Sequence, residues 1–251
     1  SMFDLLCGSP SAPIPAELWQ SCWFVLPLTA LLAYLLGSVN FAILVTRHFA
    51  HDDIRNYGSG NAGATNVLRS QGVWPAVLTT AGDLIKSTGA VLLARWLTEL
   101  CVLHFAPPAA AIEPTALPLV ASYTAGLFVI LGHLYPLYFG FRGGKGVLTI
   151  LGMFLVLDWR VALICLGIFL LVVVLSRMVS LGSVVGVCFV PVLTWVFRVF
   201  VDHQSQSTAV FCTVMSAVVT LLVIVKHWPN LVRIAHGNER KLSFKHRQKE
   251  E

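Results

Sequence analysis

Seven stretches of the chain are apolar with few charges: about 18–46, 72–97, 117–138, 147–157, 161–176, 179–201 and 207–227. A run of about 18 or more such residues is long enough to cross the roughly 30 Å hydrocarbon core of a bilayer as a helix. The pattern therefore predicts an all-α polytopic membrane protein of about seven transmembrane helices, built as a single integral membrane domain over residues 1–251. The 147–157 stretch is too short to cross on its own. It predicts a helix that begins within the membrane plane, after a re-entrant stretch. The 103–118 region, with Pro107, Pro108, Pro114 and Pro118, reads as a breaker-rich loop, and the outer loop at 98–116 is long. Ser1 ahead of Met2 reads as a tag-cleavage remnant. No basic region precedes the first apolar run and no small-residue cleavage site follows it, so a retained span is expected rather than a signal peptide.

Composition agrees: 57% of the residues are hydrophobic and 12% are charged, against roughly 25% charged in a typical soluble domain. Seven spans put the termini on opposite sides, and the Lys and Arg bias says which is which. One side collects Arg47, Arg55, Arg69, Arg142, Lys145, Arg177, Lys226, Arg233, Arg240, Lys241, Lys245, Arg247 and Lys249. The other holds Arg95, Arg160 and Arg198, with Lys86 inside the second span. The N-terminus is expected outside and the C-terminus in the cytoplasm. The net charge of +5 comes mostly from this bias and from the basic tail at 237–251. A tail lying on anionic lipid explains it, and no nucleic-acid partner is expected. The six cysteines have no CxxC spacing, and Cys165, Cys188 and Cys212 sit in apolar runs, as helix-packing residues do.

The unusual polar segments all fall on the basic side. In the first, Gly58 to Asn66 (GSGNAGATN), glycines let backbone N–H groups converge on an anion, and a following helix N-terminus adds partial positive charge. Ser59, Asn61, Thr65 and Asn66 can donate further hydrogen bonds, and Arg69 can bind a phosphate bidentately. Gly58, Gly60 and Gly63 fit GxGxxG, but a membrane helix rather than a strand precedes them, which argues against a dinucleotide fold. The second segment, Gly132 to Thr149, contains Arg142-Gly143-Gly144-Lys145-Gly146 directly before an apolar helix. It reads as a second glycine nest carrying cations. Phe139 stands where a Walker A loop needs its first glycine. His133 either caps a helix end or acts directly.

In the third segment, His227 and Asn230 lie three apart and share a face if the helix continues through Pro229 as a first-turn residue. Asp83 and Lys86 lie three apart within the second span. Charges there cost at least about 2.5 kcal/mol each at a helix centre, so both should face the bundle interior, as a mutual pair or as functional groups. Ser180 and Ser183, in SLGS, are small residues of the kind that pack helices.

Gly37-Ser38, Asp53-Ile54-Arg55, GSGNAGATN, Asp83xxLys86, GHxxP with FRGGKGV, SLGS, and HxxN followed by Gly237-Asn238-Glu239 occur in that order over residues 33 to 241. Together they resemble the PlsY family, the bacterial membrane glycerol-3-phosphate acyltransferases that use acyl phosphate as donor. The resemblance implies a seven-helix bundle in the bacterial inner membrane with an active site open to the cytoplasm. It implies acyl phosphate and glycerol 3-phosphate as substrates, lysophosphatidic acid as product, no cofactor, no metal and no obligate protein partner. By the same resemblance Ser59, Thr65, Asn66, Gly143, Gly144, Lys145 and a serine of SLGS, Ser180 or Ser183, bind phosphate; Gly60, Asn61 and Lys86 are expected to bind substrate beside them. The resemblance also implies that Arg69, Lys145, His227 and Asn230 stand around glycerol 3-phosphate and the reacting groups, and Ser59 is expected to act with them. Ala62, Leu148 and Ser87 depart from the family's usual Pro, Ala and Gly, and none of these changes removes a polar group.

Three other classes fit less well. An acyl-CoA-dependent acyltransferase would use HxxxxD, which His48 to Asp53 matches by spacing, but no acceptor-phosphate segment follows. A CDP-alcohol phosphotransferase needs clustered aspartates, and the six Asp here are scattered along the chain. An anion transporter needs polar groups on both faces of a path, whereas here they gather at one. Acyl phosphate is an activated mixed anhydride, so direct transfer without an acyl-enzyme is expected, with either His227 or a substrate phosphate oxygen taking the hydroxyl proton.

Overall fold

The first apolar run does not form one rod. A computed structural model, which describes residues 16–105 and 116–242, divides it into α1 (Ala16–Cys22), α2 (Val25–Ser38) and α3 (Phe41–Ala50). At the second break Asn40 caps α3, its Oδ1 accepting from Ile43 N at 3.1 Å. The break leaves carbonyls without helical partners at membrane depth, where each must be satisfied by protein. Lys86 does this: its Nζ donates to Gly37 O at 3.1 Å and to Val39 O at 2.7 Å.

After α3 come α4 (Ala64–Gln71), α5 (Val73–Phe105) and α6 (Leu117–Leu134). Then follow α7 (Val147–Leu157), α8 (Trp159–Ser176), α9 (Val179–Val196) and α10 (Gln206–Ala235), with a π-helical turn at Phe197–Val201 after α9. Six of the helical stretches are long and apolar enough to cross a membrane. The seventh, α7, has 11 residues, or about 16 Å at 1.5 Å per residue, half of the hydrocarbon thickness. The chain ahead of it does turn back: Gly143 N and Gly144 N donate to Leu134 O and His133 O, the last carbonyls of α6.

Helix ends differ from the sequence expectation in two places. α5 runs on to Phe105, past the expected boundary at 97, because no proline or glycine interrupts 98–105. The expected outer loop therefore loses its first part to helix, and its 106–115 portion lies outside the described residues. α10 continues to Ala235 with Pro229 in its interior, not at a first turn. That proline lacks the N–H that would bond the carbonyl of Val225.

Packing is set by small residues. A Cβ on Gly37 would lie 2.2 Å from Val129 O, and one on Gly132 would lie 2.3 Å from Tyr34 O. Glycine at both positions lets α2 and α6 touch backbone to backbone, and this is the most extensive helix contact in the bundle. The main core lies between α6, α7, α9 and α10, around Tyr123, Ile130, Met153, Phe154, Val187, Val190 and Val223.

At the end of the bundle where α8 begins, Arg160 bonds Asp158 and Asp202 at 2.8 and 2.7 Å. Arg198 donates to Leu157 O at 2.9 Å. Two of the three arginines expected on the outer side are thus tied into a partly buried carboxylate network. At the opposite end Arg55 holds two loops together, bonding Asp53 at 2.9 Å and Phe139 O at 2.8 Å. Asp53 also bonds Arg47 at 3.2 Å, so its carboxylate is committed to loop structure and the HxxxxD spacing with His48 is incidental.

The first part of the expected lipid-bound tail is folded. Gly237 adopts φ 71°, the chain reverses, and Leu242 N donates to Arg177 O at 2.7 Å. Residues 1–15, including Cys7, and 243–251, including Lys245, Arg247 and Lys249, lie outside the described residues.

Candidate active site

The loop ends at 57–69 and 133–146, the start of α9 and the last turns of α10 enclose a cavity of about 550 Å³. Of the residues expected at the site, Ser59, Asn61, Thr65, Asn66, Arg69, Lys145, Ser180, Ser183, His227 and Asn230 line it. Gly60, Lys86, Gly143 and Gly144 do not.

The anion-binding elements are not the ones the glycine pattern suggests. Gly143 and Gly144 spend their N–H groups on the end of α6, so they form no free nest. Their lack of a side chain serves close packing instead, since a Cβ on Gly144 would lie 2.3 Å from His133 Nε2. Gly60 N is likewise bonded to Tyr57 O at 2.9 Å. The Asn66 amide is consumed internally: Oδ1 accepts from Ser59 N at 3.1 Å, and Nδ2 faces Ile54 O, Tyr57 O and Asn61 O at 3.0–3.2 Å. Asn66 shapes the loop and leaves no amide hydrogen for a ligand. Lys86 is committed to Asp83, at 2.9 Å, and to the broken first span. Its three hydrogens have protein acceptors in Gly37 O, Val39 O and His133 Nδ1, which removes it from the expected binding set.

What does face the cavity is the N-terminus of α4. Gly63 precedes it without a side-chain cap, and Ala64 and Thr65 line the wall, so the first amides and the helix dipole point where an anion is stabilised. Arg69 lies one turn on from Thr65 and Lys145 stands across from it. Burial pushes the Lys145 ammonium down to about 8; Glu239 opposes this, while Arg233 and Arg69 add to it. Burial also lowers Arg69, with Arg240 adding to the effect.

On α10, His227 Nδ1–H donates to Val223 O at 2.8 Å. The carbonyl can only accept, so Nε2 keeps its lone pair. One turn later Asn230 Oδ1 accepts from Lys145 Nζ. Asn230 Nδ2 donates to Glu239 Oε1 at 2.7 Å, which also accepts from Ser180 Oγ at 2.5 Å, while Arg233 Nε bonds Glu239 Oε2 at 2.8 Å. Burial works against the Glu239 charge, but the bonds from Ser180, Asn230 and Arg233 outweigh it and hold its pKa below the ordinary value. Ser183 Oγ donates back to Val179 O at 2.8 Å.

Glu239, Asp83 and His133 also line the cavity; the sequence left a functional role open for Asp83 and His133 beside a structural one, and none for Glu239. A lone Glu at the start of a basic tail carries no signal of burial. Its only signal was its place in the Gly237-Asn238-Glu239 element. Among the described residues no group of three His, Cys, Asp or Glu side chains could hold a metal ion.

A second, apolar cavity of about 80 Å³ lies between α7, α8 and α9, lined by residues such as Leu151, Phe154, Cys165, Gly186 and Val190. Val147, Leu148, Phe169 and Ser183 line both cavities, so the apolar cavity adjoins the polar chamber as a side arm.

The profile of a family described as glycerol-3-phosphate acyltransferase matches residues 27–237. The glycerol-3-phosphate acyltransferase of Clostridioides difficile is 38% identical over 87% of this chain and 96% of its own. That of Neisseria meningitidis serogroup B is 39% identical over 87% and 98%. The glycerol 3-phosphate form of PlsY (YgiH), an integral membrane glycerol 3-phosphate acyltransferase, superposes with a TM-score of 0.68 at 30% identity, covering 86% of this chain and 95% of that one. Its lysophosphatidic acid form gives 0.66 at 28%. With a family match across most of its length and near-complete coverage of its relatives, this chain belongs to the PlsY family of membrane glycerol-3-phosphate acyltransferases.

Proposed function

We propose that the chain transfers an acyl group from acyl phosphate to the sn-1 hydroxyl of glycerol 3-phosphate, releasing lysophosphatidic acid and inorganic phosphate, at the cytoplasmic face of a bacterial inner membrane. The observation that carries this reading is the adjacency of a cationic chamber and an apolar arm that share four wall residues. The α4 N-terminus, Arg69 and Lys145 suit phosphate groups, and the arm between α7, α8 and α9 suits an acyl chain. The solved relative exists in a glycerol 3-phosphate form and a lysophosphatidic acid form, which supports this reading.

In the step itself the acceptor oxygen bonds the acyl carbon and the bond from that carbon to the phosphate oxygen breaks. The electron pair leaves with inorganic phosphate. Lys145 and the α4 amides neutralise the leaving phosphate, and Arg69 holds the acceptor phosphate. Asn230 orients the acceptor, and the free Nε2 lone pair of His227 takes the hydroxyl proton. Holding two substrates in line supplies most of the acceleration, because the donor is already activated. The deciding experiment supplies glycerol 3-phosphate and either acyl phosphate or acyl-CoA to the purified protein in detergent. Product from acyl phosphate alone is expected, and product from acyl-CoA alone would sink the donor assignment. For sidedness, a tag after Glu251 is expected to be reachable only from the cytoplasm.

A further inference from the structure

His133 has no part in that scheme, yet it lines the polar cavity and is 3% exposed. Its surroundings fix which ring nitrogen carries hydrogen. Nδ1 lies 3.0 Å from Lys86 Nζ and 3.6 Å from Asp83 Oδ1. The Lys86 ammonium has hydrogens to donate and no lone pair. It pairs with Asp83 at 2.9 Å and is anchored by Gly37 O at 3.1 Å and Val39 O at 2.7 Å. At 3.0 Å from that ammonium, Nδ1 must offer its lone pair, because an N–H there would set hydrogen against hydrogen. A neutral imidazole with its lone pair on Nδ1 carries its hydrogen on Nε2.

The Nε2 edge lies beside Gly144, where any side chain would collide with it: a Cβ would stand 2.3 Å away. The residue next in the chain is Lys145. His133 is thus the tautomeric opposite of His227. In His227 the backbone takes the Nδ1 hydrogen and leaves Nε2 as a base; in His133 Lys86 takes the Nδ1 lone pair and leaves Nε2–H as a donor. A buried N–H at the wall of a reaction chamber requires an acceptor.

We propose that His133 is a further catalytic residue of this site: a neutral imidazole, locked in its Nε2–H form by Lys86, that donates to the acyl oxygen of the donor as negative charge collects there. The proposal rests on the acyl-transfer reading given above. A fixed, uncharged donor in a water-poor site stabilises a developing oxyanion without gaining a competing proton equilibrium. Loss of one such donor typically lowers kcat by about 100- to 1,000-fold.

The test compares His133→Asn with His133→Gln in the full-length protein, after wild-type turnover of acyl phosphate has been measured. Failure of the wild type to use acyl phosphate overturns the functional reading and this inference together, whereas the variants address His133 alone. Asn can accept from Lys86 in place of Nδ1 but cannot reach the Nε2 position; the longer Gln can place an N–H there. His133→Asn is expected to lose about 100-fold in kcat with the KM for glycerol 3-phosphate little changed, and His133→Gln to recover at least about a tenth of wild-type kcat. Wild-type kcat in the Asn variant, a loss confined to KM, or equal impairment of both variants would overturn it. Should the Asn variant not fold, ¹⁵N-histidine spectra of the wild type, assigned by difference against His133→Gln, decide the matter. A bare Nδ1 and a protonated Nε2 are expected, and a protonated Nδ1 or a cationic ring overturns the proposal.

Discussion

Lys145 and Asn230, 85 positions apart in the chain, meet as donor and acceptor on the wall of the polar cavity. Through the other end of the same amide Asn230 bonds Glu239, which gathers Ser180 and Arg233. The re-entrant loop, α9, α10 and the folded strap at 237–242 are therefore joined by one hydrogen-bonded chain. Its cationic end is the group proposed to meet the donor phosphate.

Removing that end has two effects at once. Lys145→Ala deletes a charge-assisted contact to phosphate, worth about 1.5–3 kcal/mol, and frees the Asn230 amide from its fixed orientation. We expect at least a tenfold fall in turnover or acceptor affinity, and a similar fall for Arg69→Ala, with both proteins folded by size-exclusion chromatography in detergent. Ser205→Ala is the control. It lies far from the cavity but caps α10, its Oγ accepting from Thr208 N at 3.3 Å. Activity should be unchanged while thermal stability drops, by about 0.5–2 kcal/mol for a lost cap. Full activity in Lys145→Ala would remove the lysine from the mechanism.

The depressed Lys145 pKa makes a pH-dependent prediction. Only the ammonium form attracts phosphate, so the free enzyme is competent below about 8 and loses its cation as pH rises through that value. The basic limb of kcat/KM against pH should therefore fall near 8, since kcat/KM reports groups of the free enzyme. Lys145→Arg should move that limb upward, because a guanidinium stays charged across the range. An unchanged basic limb in Lys145→Arg would assign it to another group.

Much of this architecture is legible in the sequence because membrane helices announce themselves through apolar length alone, and 147–157 matches α7 residue for residue. The site was legible as segments, since unusual glycine-rich loops on the basic side do converge. Their internal wiring was not. Nothing local shows that Gly143 and Gly144 spend their amides capping α6, or that Lys86 serves carbonyls of a helix break 47 and 49 positions earlier. Glu239 shows the limit most clearly. Charge statistics place it in a solvated basic tail, whereas a glycine at φ 71° and bonds from Ser180, Asn230 and Arg233 turn it into the chamber.

The apolar arm sets a length test. Val190 is 1% exposed and lines the arm away from the residues shared with the polar chamber. Val190→Phe should fill much of the about 80 Å³ available. Long-chain acyl phosphates should then lose at least about tenfold in kcat/KM relative to medium-chain ones, a difference of about 1.4 kcal/mol. Overpacking itself costs about 1–3 kcal/mol of stability, so the comparison is made between donors on one variant. Equal loss for all chain lengths would mean that the acyl chain lies elsewhere.

The absence of an acyl-enzyme is the final expectation. A covalent intermediate divides a hard step into two easier ones, but an acyl phosphate already has a good leaving group, so little is gained. The side chains agree. Ser59 lines the chamber through a loop whose amide is bonded by Asn66. Ser180 Oγ donates to the Glu239 carboxylate, and Ser183 Oγ donates to its own helix. Glu239 could in principle take a proton from Ser180, yet Asn230 and Arg233 stabilise its charged form and lower its pKa, which makes it a poor base. Among the described residues no cysteine lines the polar cavity. Incubating the enzyme with radiolabelled acyl phosphate and no acceptor, then quenching, should therefore leave no stoichiometric protein-bound label. Label that glycerol 3-phosphate later chased into product would overturn direct transfer, and the two variants Ser59→Ala and Ser180→Ala would identify the nucleophile by abolishing it.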